Sequence, residues 1–357
     1  MQSKAAEGLC MIKKHIEIVS STQTELSSMS QESRDAIFSV LSKRYADVRI
    51  TIVNNTSDLE ALVGRNPDLV FLGMKFIPKN PRLGRDDPDK IWLAEYLDNC
   101  GIAYTGSSHM AHELELDKSL AKQRVLDAGL STSPFHLVPR DNVQKADELD
   151  FSYPSFIKPA NRGGGMGVDS KSVAHNLDQL QSKVRALATD LGADSLIEKY
   201  LPGREFSVAI LRDEQSQDFM VMPIELITKP DEHGICVLSE YVKSSNSEQA
   251  VEVTDRVLAA KVSDLALNVF YALGARDYGR IDIRLDADGT PHFLEANLLP
   301  SLISGYGSFP KACSINVNLD YEPMIMSIVS LAFARNLEII EDEEIQISPT
   351  VDTALAF

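Results

Sequence analysis

The side chains best suited to chemistry lie in one stretch, Tyr278 to Pro300, YGRIDIRLDADGTPHFLEANLLP. It reads as two strands joined at Asp288-Gly289, a dipeptide that suits a two-residue hairpin turn because both central positions need φ > 0. If Ala287 pairs with Thr290, counting outward sets Asp282 opposite Glu295 and Arg280 opposite Asn297. All four then share one face, since residues i and i+2 of a strand point the same way. The other face carries Ile281, Ile283, Leu285, Leu294 and Ala296, and is expected to be core. Two carboxylates across a non-hydrogen-bonded pair, with Cβ atoms about 4.5–5.5 Å apart, repel each other. A dication between them removes the conflict, with Asn297 as a third oxygen ligand and Arg280 beside it. An oxygen-only set without thiolate suits Mg²⁺, with Mn²⁺ as the alternative. The competing reading of these residues alone is a solvated polar hairpin face.

A second candidate is Lys158 and the glycine run that follows it, Ala160 to Gly167, ANRGGGMG. A dinucleotide fingerprint needs a helix after the glycines, whereas Val168-Asp169-Ser170 reads as another strand. A phosphate loop of the Gly-Lys-Ser/Thr type fails too, because Gly167 is followed by Val168. What remains is a glycine-rich β-hairpin with exposed N–H groups that could fold over phosphates.

These residues need a scaffold, and 357 residues are enough for two or three compact units. The formal charge of −17 argues against nucleic acid held on a general basic surface. Cys10, Cys100, Cys236 and Cys313 fit no metal or redox spacing, and no apolar run is long enough to span a bilayer; a cytoplasmic protein is expected. The first third alternates strands (15–19, 48–53, 69–72 and 102–106) with helices (31–45 and about 58–64), the pattern of a small parallel α/β unit. A long loop, Lys75 to Pro88, precedes a helix over 89–99, and another helix is expected over 116–128, ending at Gly129. Beyond Phe135 come strands at 156–159, 195–201, 204–211, 219–227 and 237–242, with helices over 177–191 and 255–273. Residues 301–310 read as a loop, 319–334 as a closing helix and 338–344 as a solvated charge run.

Taken in order, YTGS with Lys118 downstream, FIKPANRGGGMGV, LIEKYLPGREFSVAIL and GARDYGRIDIRLDADGTPHFLEANLLP resemble the ATP-grasp superfamily, and within it the D-alanine:D-alanine ligase branch. The resemblance runs from about Pro67 to Ala334. It implies an ATP-grasp fold, two α+β subdomains clasping ATP, preceded by a small parallel α/β domain. The expected division is 1–107 for the N-terminal domain, 108–200 and 201–337 for the two subdomains, and 338–357 for an acidic tail. It also implies a carboxylate–amine ligase that uses ATP and Mg²⁺, makes an amide through an acylphosphate and takes small-molecule acid and amine substrates, with no nucleic acid or membrane partner. A homodimer stays open.

Carried over by motif, Lys118 and Lys158 match the lysines on the nucleotide phosphates, and Arg162, Gly163, Gly164 and Gly165 the lid over them. Glu198, Tyr200 and Leu201 match the linker that meets the adenine, and Glu205 the acid on the ribose. Lys243 matches the lysine that reaches the γ-phosphate, Arg280 the oxyanion-site arginine, and Asp282, Glu295 and Asn297 the metal ligands. Ser301, Ser304 and Tyr306 fall in the loop that holds the second substrate.

The chain also departs from the branch. Residues 18–25 lack its Gly-Gly stretch followed by serine and glutamate, the glutamate that helps hold the first amino acid. Arg162 and Gly163-Gly164-Gly165 stand where a Glu and Gly-Ser-Ser are usual, and Ser301 replaces a glycine in a lengthened loop. ATP and metal sites kept beside rebuilt amino-acid sites imply a ligase for a substrate other than D-alanine. An authentic D-alanine–D-alanine ligase, a phosphotransferase and a non-catalytic nucleotide-binding module are the alternatives.

Overall fold

The computed structural model describes residues 11–23, 25–229 and 248–347, of which 336–347 are described as backbone only. Four parallel strands make the first sheet, in the order Tyr45–Ile52, Ile12–Ser20, Leu69–Leu72, Ala103–Tyr104. The apolar runs of its two central strands, Ile16–Val19 and Leu69–Leu72, are buried on both faces, as the interior of a parallel sheet requires, whereas the edge strand Tyr45–Ile52 leaves Ile50 exposed. The helices Gln31–Leu41, Thr56–Val63 and Leu93–Asn99 contribute Ile37, Leu59 and Leu97 to that core. The first of these ends at Leu41, four residues before the expectation, because Tyr45 already begins the next strand.

A four-stranded antiparallel sheet follows, ordered Phe135–Val138, Ser195–Lys199, Ser155–Pro159, Val173–Ala174. The helix Leu177–Leu191 covers it, with Leu180, Val184 and Leu187 packed on Ile157 and Ile197. A five-stranded antiparallel sheet carries the rest, ordered Gln249–Glu252, Phe219–Ile227, Glu205–Arg212, Tyr278–Leu285, Pro291–Asn297. Alternation sorts its side chains. Phe206, Val208, Ile210, Ile281 and Ile283 pack on the helix Arg256–Ala272, whereas Ala209, Leu211, Met222 and Ile224 join the core shared with the parallel sheet.

Several boundaries differ from the sequence expectation for local reasons. The helix expected over 116–128 is Lys118–Asp127, started by the Asp117 carboxylate, which accepts the N–H groups of Ser119 and Leu120, and an unexpected helix, His109–Leu116, precedes it. The loop 75–88 is largely structured. Phe76–Pro78 pairs with Lys90–Trp92, and the Asp87 carboxylate accepts the N–H groups of Asn80 and Asp89 inside the turn. The loop after Pro300 stops at Gly307, where the helix Ser308–Val317 begins; Pro310 sits in its first turn, where no N–H partner is lost. The last helix, Tyr321–Ile347, continues through the acidic run expected to be a solvated tail. The strand expected at 237–242 lies outside the described residues.

Candidate active site

The hairpin at the centre of the site has the expected register where it matters, reached by a different path. Arg280 pairs with Asn297 and Asp282 with Glu295. The turn, however, closes one residue early: the Asp286 N–H donates to the Thr290 carbonyl at 3.0 Å, and its carboxylate accepts from the Thr290 and Asp288 N–H groups at 2.8 and 2.9 Å. Leu285 therefore faces Pro291, and a bulge beyond Phe293 restores the register at Glu295. The bulge also corrects the expected core face. Phe293 is buried with Ala296, while Leu294 turns to the other side and lines a pocket.

On the polar face the Arg280 guanidinium forks onto Asp282, at 3.0 and 2.8 Å, while Ser207 Oγ donates to the same carboxylate at 2.8 Å and Asn297 Nδ2 lies 3.3 Å from it. Burial works against the arginine's charge, and Asp282 outweighs it, holding Arg280 firmly protonated. Glu295 has Lys118 Nζ at 3.7 Å. The carboxylate pair thus attracts cations, and its oxygen donors, with no thiolate or imidazole of the described residues beside them, fit Mg²⁺.

Two chambers meet at this hairpin, and Asp282, Glu295 and Met166 line both. The first is walled by the two antiparallel sheets. Lys158, at the end of Ser155–Pro159, holds Glu198 at 2.8 Å, and Lys122 holds the other oxygen of that acid at 2.6 Å. Burial would raise the Glu198 carboxyl, but the two lysines outweigh it and keep it ionised. Lys122, fully shut from solvent and opposed by Lys158, is pulled down by burial to about 8. Lys158 moves the other way: burial would lower it, yet Glu198 and Glu295 hold it up. Glu205 takes Arg284 Nη1 at 2.9 Å, and Arg284 stacks 5.4 Å from the Tyr200 ring centroid. Leu201 completes this end.

The glycine run closes the first chamber from above. It is not the tight hairpin expected: Val168 is irregular, a 3₁₀ turn at Ser170–Ser172 intervenes, and the return strand starts at Val173. Asp169 causes this by accepting the Lys171 N–H and pairing with Lys183 at 2.8 Å. Gly167 has φ +73°, and a Cβ there would lie 2.6 Å from Leu191 Cδ1, so only glycine fits. Lys118 Nζ donates to the Arg162 carbonyl, tying the run to the hairpin. The Arg162 guanidinium does not hang over the pocket as a free charge; it grips Asp86 at 2.8 Å and the Leu191 carbonyl at 3.0 Å. The glycine run expected to act as a lid and the loop 75–88 are thereby joined.

The second chamber, about 480 Å³, lies between the hairpin and the parallel-sheet domain. Gly163 and Gly164 line it, as do Arg280, Asn297, Ser301 and Tyr306, whose hydroxyl donates to Glu248 at 3.1 Å. Gly165 faces the first chamber instead. Ser304 is exposed at the loop tip and lines neither. Lys243 lies outside the described residues. The opposite wall holds Glu25, Lys75, Arg85 and Glu115. Glu115 binds Lys75 at 2.7 Å, His112 at 3.2 Å and the Leu298 N–H at 2.9 Å, joining the α/β domain to the hairpin. Burial would raise this carboxyl, but Lys75 and His112 bring it down to about 2.

Sequence reasoning missed Lys122, Arg284, Leu294, Glu25 and Arg85. Two carried a signal: Lys122 is one helical turn after Lys118, and Arg284 continues the i, i+2 row of Arg280 and Asp282.

The chain matches the model of the family described as "D-ala D-ala ligase C-terminus" over residues 125–330. It is 30% identical over 243 residues to the uncharacterized protein y4sG of Sinorhizobium fredii, covering 67% of this chain and 69% of that one. It is 26% identical over 308 residues to a D-alanine–D-alanine ligase of Cupriavidus taiwanensis, covering 82% and 90%. Among solved structures, the D-alanine–D-alanine ligase from Bacillus anthracis superposes with a TM-score of 0.67 at 19% identity, over 91% of this chain and 99% of that one. A second structure of that enzyme, complexed with ATP, matches equally. The chain therefore belongs to the D-alanine–D-alanine ligase family, and is an ATP-dependent ligase with the ATP-grasp fold.

Proposed function

We propose that this ligase joins an amino-acid substrate other than D-alanine to an amine, outside cell-wall dipeptide synthesis, with the nucleotide in the first chamber and the acid and amine in the second. The observation that carries the reading is the shared wall: Asp282 and Glu295 face both chambers, so a γ-phosphate delivered from one side meets a carboxylate held on the other. Lys118 and Lys158 serve the phosphates, Tyr200 and Leu201 the base, and Glu205 the ribose. Mg²⁺ held by Asp282, Glu295 and Asn297 would offset the charge of the phosphoryl group in transfer.

The substrate carboxylate oxygen attacks the γ-phosphorus, the bond to the β-phosphate oxygen breaks, and ADP leaves. The amine nitrogen then attacks the acyl carbon, phosphate departs, and the amine proton passes to solvent. Arg280 stabilises the oxyanion of the tetrahedral stage. The glycine run and the Phe76–Trp92 hairpin, held together by Arg162 and Asp86, exclude water that would hydrolyse the acylphosphate.

Three features support a substrate other than D-alanine. Gly163 and Gly164 present no hydroxyls to the second chamber, Arg85 adds a cation there, and Tyr306 and Glu248 stand on its far side. A site built for one set of polar groups rejects ligands lacking them, by as much as ~10⁴-fold. Incubation with ATP, Mg²⁺ and D-alanine is the test. Efficient D-alanyl-D-alanine formation would overturn the substrate half of the proposal and leave the ligase half standing.

A further inference from the structure

The Arg85 guanidinium stands in the wall of the second chamber without an anion to match it. Its Nη1 donates to the Glu25 carbonyl at 3.1 Å, its Nε is buried with no hydrogen-bond partner, and no carboxylate of the described residues lies within ion-pair distance. The cations around it are all matched. Arg162 is taken by Asp86 at 2.8 Å, so the acid next to Arg85 in sequence makes its ion pair elsewhere, and Lys75 is taken by Glu115 at 2.7 Å. Burial and the neighbouring charge of Arg162 oppose the charge on Arg85 and outweigh the longer-range pull of Glu25, Asp86 and Glu115. A guanidinium does not shed its proton, so a partly shielded one without an ion-pair partner is stabilised further when an anion arrives.

That anion can come with the substrate. One continuous chamber, about 480 Å³, runs from Arg85 to Glu295 and Asn297, so a molecule with its reacting carboxylate at the hairpin can reach the arginine with its other end. We propose that Arg85 is a specificity residue that receives a second carboxylate, making this a ligase for dicarboxylic acids; the inference rests on the ligase reading above. Arginine fits this task better than lysine because its planar fork meets both carboxylate oxygens.

The test uses the full chain with ATP, Mg²⁺ and hydroxylamine. Hydroxylamine nitrogen bonds to the acyl carbon of the activated acid, the bond from that carbon to the phosphate oxygen breaks, phosphate is released and a proton goes to water. The hydroxamate reports activation without knowledge of the amine. Each dicarboxylic amino acid is paired with a monocarboxylic isostere, glutamate with norvaline and 2-aminoadipate with norleucine, in both enantiomers. The wild type is expected to prefer the diacid by kcat/KM, and R85Q to reduce that ratio by about 10–100-fold. R85K, a point charge without the fork, should fall between them. ATP affinity measured by calorimetry without acid should match the wild type in R85Q, which also shows that the variant folds. Equal use of both acids, or a ratio untouched in R85Q and R85K, overturns the inference and leaves the ligase reading intact. Weakened ATP binding in R85Q overturns it as well, since the charge would then serve phosphate. No hydroxamate from any acid overturns the ligase reading and this inference with it. Should R85Q not fold, the wild-type preference and R85K decide.

Discussion

The two chambers that meet at the hairpin are built on opposite electrostatic plans. Around the first, the charges are paired before any ligand arrives: Lys122 and Lys158 share Glu198, Arg284 holds Glu205, and Arg162 holds Asp86. Around the second, the wall from the α/β domain includes Arg85, which no described acid holds in an ion pair, opposite Tyr306 with its partner Glu248. Pairing holds long side chains in one geometry, so a phosphate meets lysines already aimed at it. An unmatched charge instead ranks the ligands that enter. On the proposed reading, the first plan suits a constant ligand, and the second suits discrimination among variable ones.

The comparison breaks hardest at the shared wall. Glu295→Gln should lower ADP release by at least about 100-fold whichever acid is supplied, because both chambers work through that carboxylate. The protein should stay folded, since one of two repelling acids loses its charge; near wild-type turnover would remove the hairpin from the mechanism.

A change confined to the first chamber should touch nucleotide binding before anything else. Lys158→Ala should weaken ATP binding by about 10–100-fold, the worth of a buried charge-assisted contact. Glu198→Gln should weaken it less, by loosening the clamp on Lys158. Calorimetry that finds full affinity in both would mean that the phosphates lie elsewhere.

Glu115 tests how the second chamber is held together. Its carboxyl lies near 2 in the folded protein against an ordinary 4.5, so the unfolded chain takes up the proton first as pH falls. The stabilisation it contributes is complete above about pH 4.5 and is lost progressively as pH drops toward 2. Glu115→Gln should cost about 2–3 kcal/mol at neutral pH and flatten that acid limb of the stability profile. Urea melts from pH 2 to 7 measure both; a variant that keeps the wild-type slope would show that other acids set it.

The smallest effect is expected at Ser304. Ser304→Ala should leave KM for either substrate within about twofold, as surface changes outside a site generally do. A larger rise would place the loop tip in the second chamber after all.

How much of this was legible beforehand depends on distance along the chain. The metal face of the hairpin was readable because it is local: strand period and turn position are both written within twenty-three consecutive residues, 278–300. Even there, a turn lengthened by Asp286 and a bulge at Leu294 cancel, so the register at Asp282 and Glu295 survived an incorrect turn. The side chain inside the bulge could not be placed, which is why Leu294 was assigned to the core. The order of the motifs brought together the residues of the first chamber for a similar reason, since each lysine and acid travels with its own strand or helix start.

Residue types and their alternation were enough to determine the paired carboxylates, the lysine before the glycine run and the parallel α/β character of the first third. Only the tertiary structure decided which charges are matched. Arg162 faces Asp86 across 76 positions, Lys122 faces Glu198 across 76, and Glu115 receives the Leu298 N–H across 183. Whether a charge is neutralised depends on a few ångströms of separation, and that separation is set by how sheets and loops from distant parts of the chain pack together. Arg85 and Asp86 are neighbours in sequence, yet the fold gives Asp86 to Arg162 and leaves Arg85 facing the chamber.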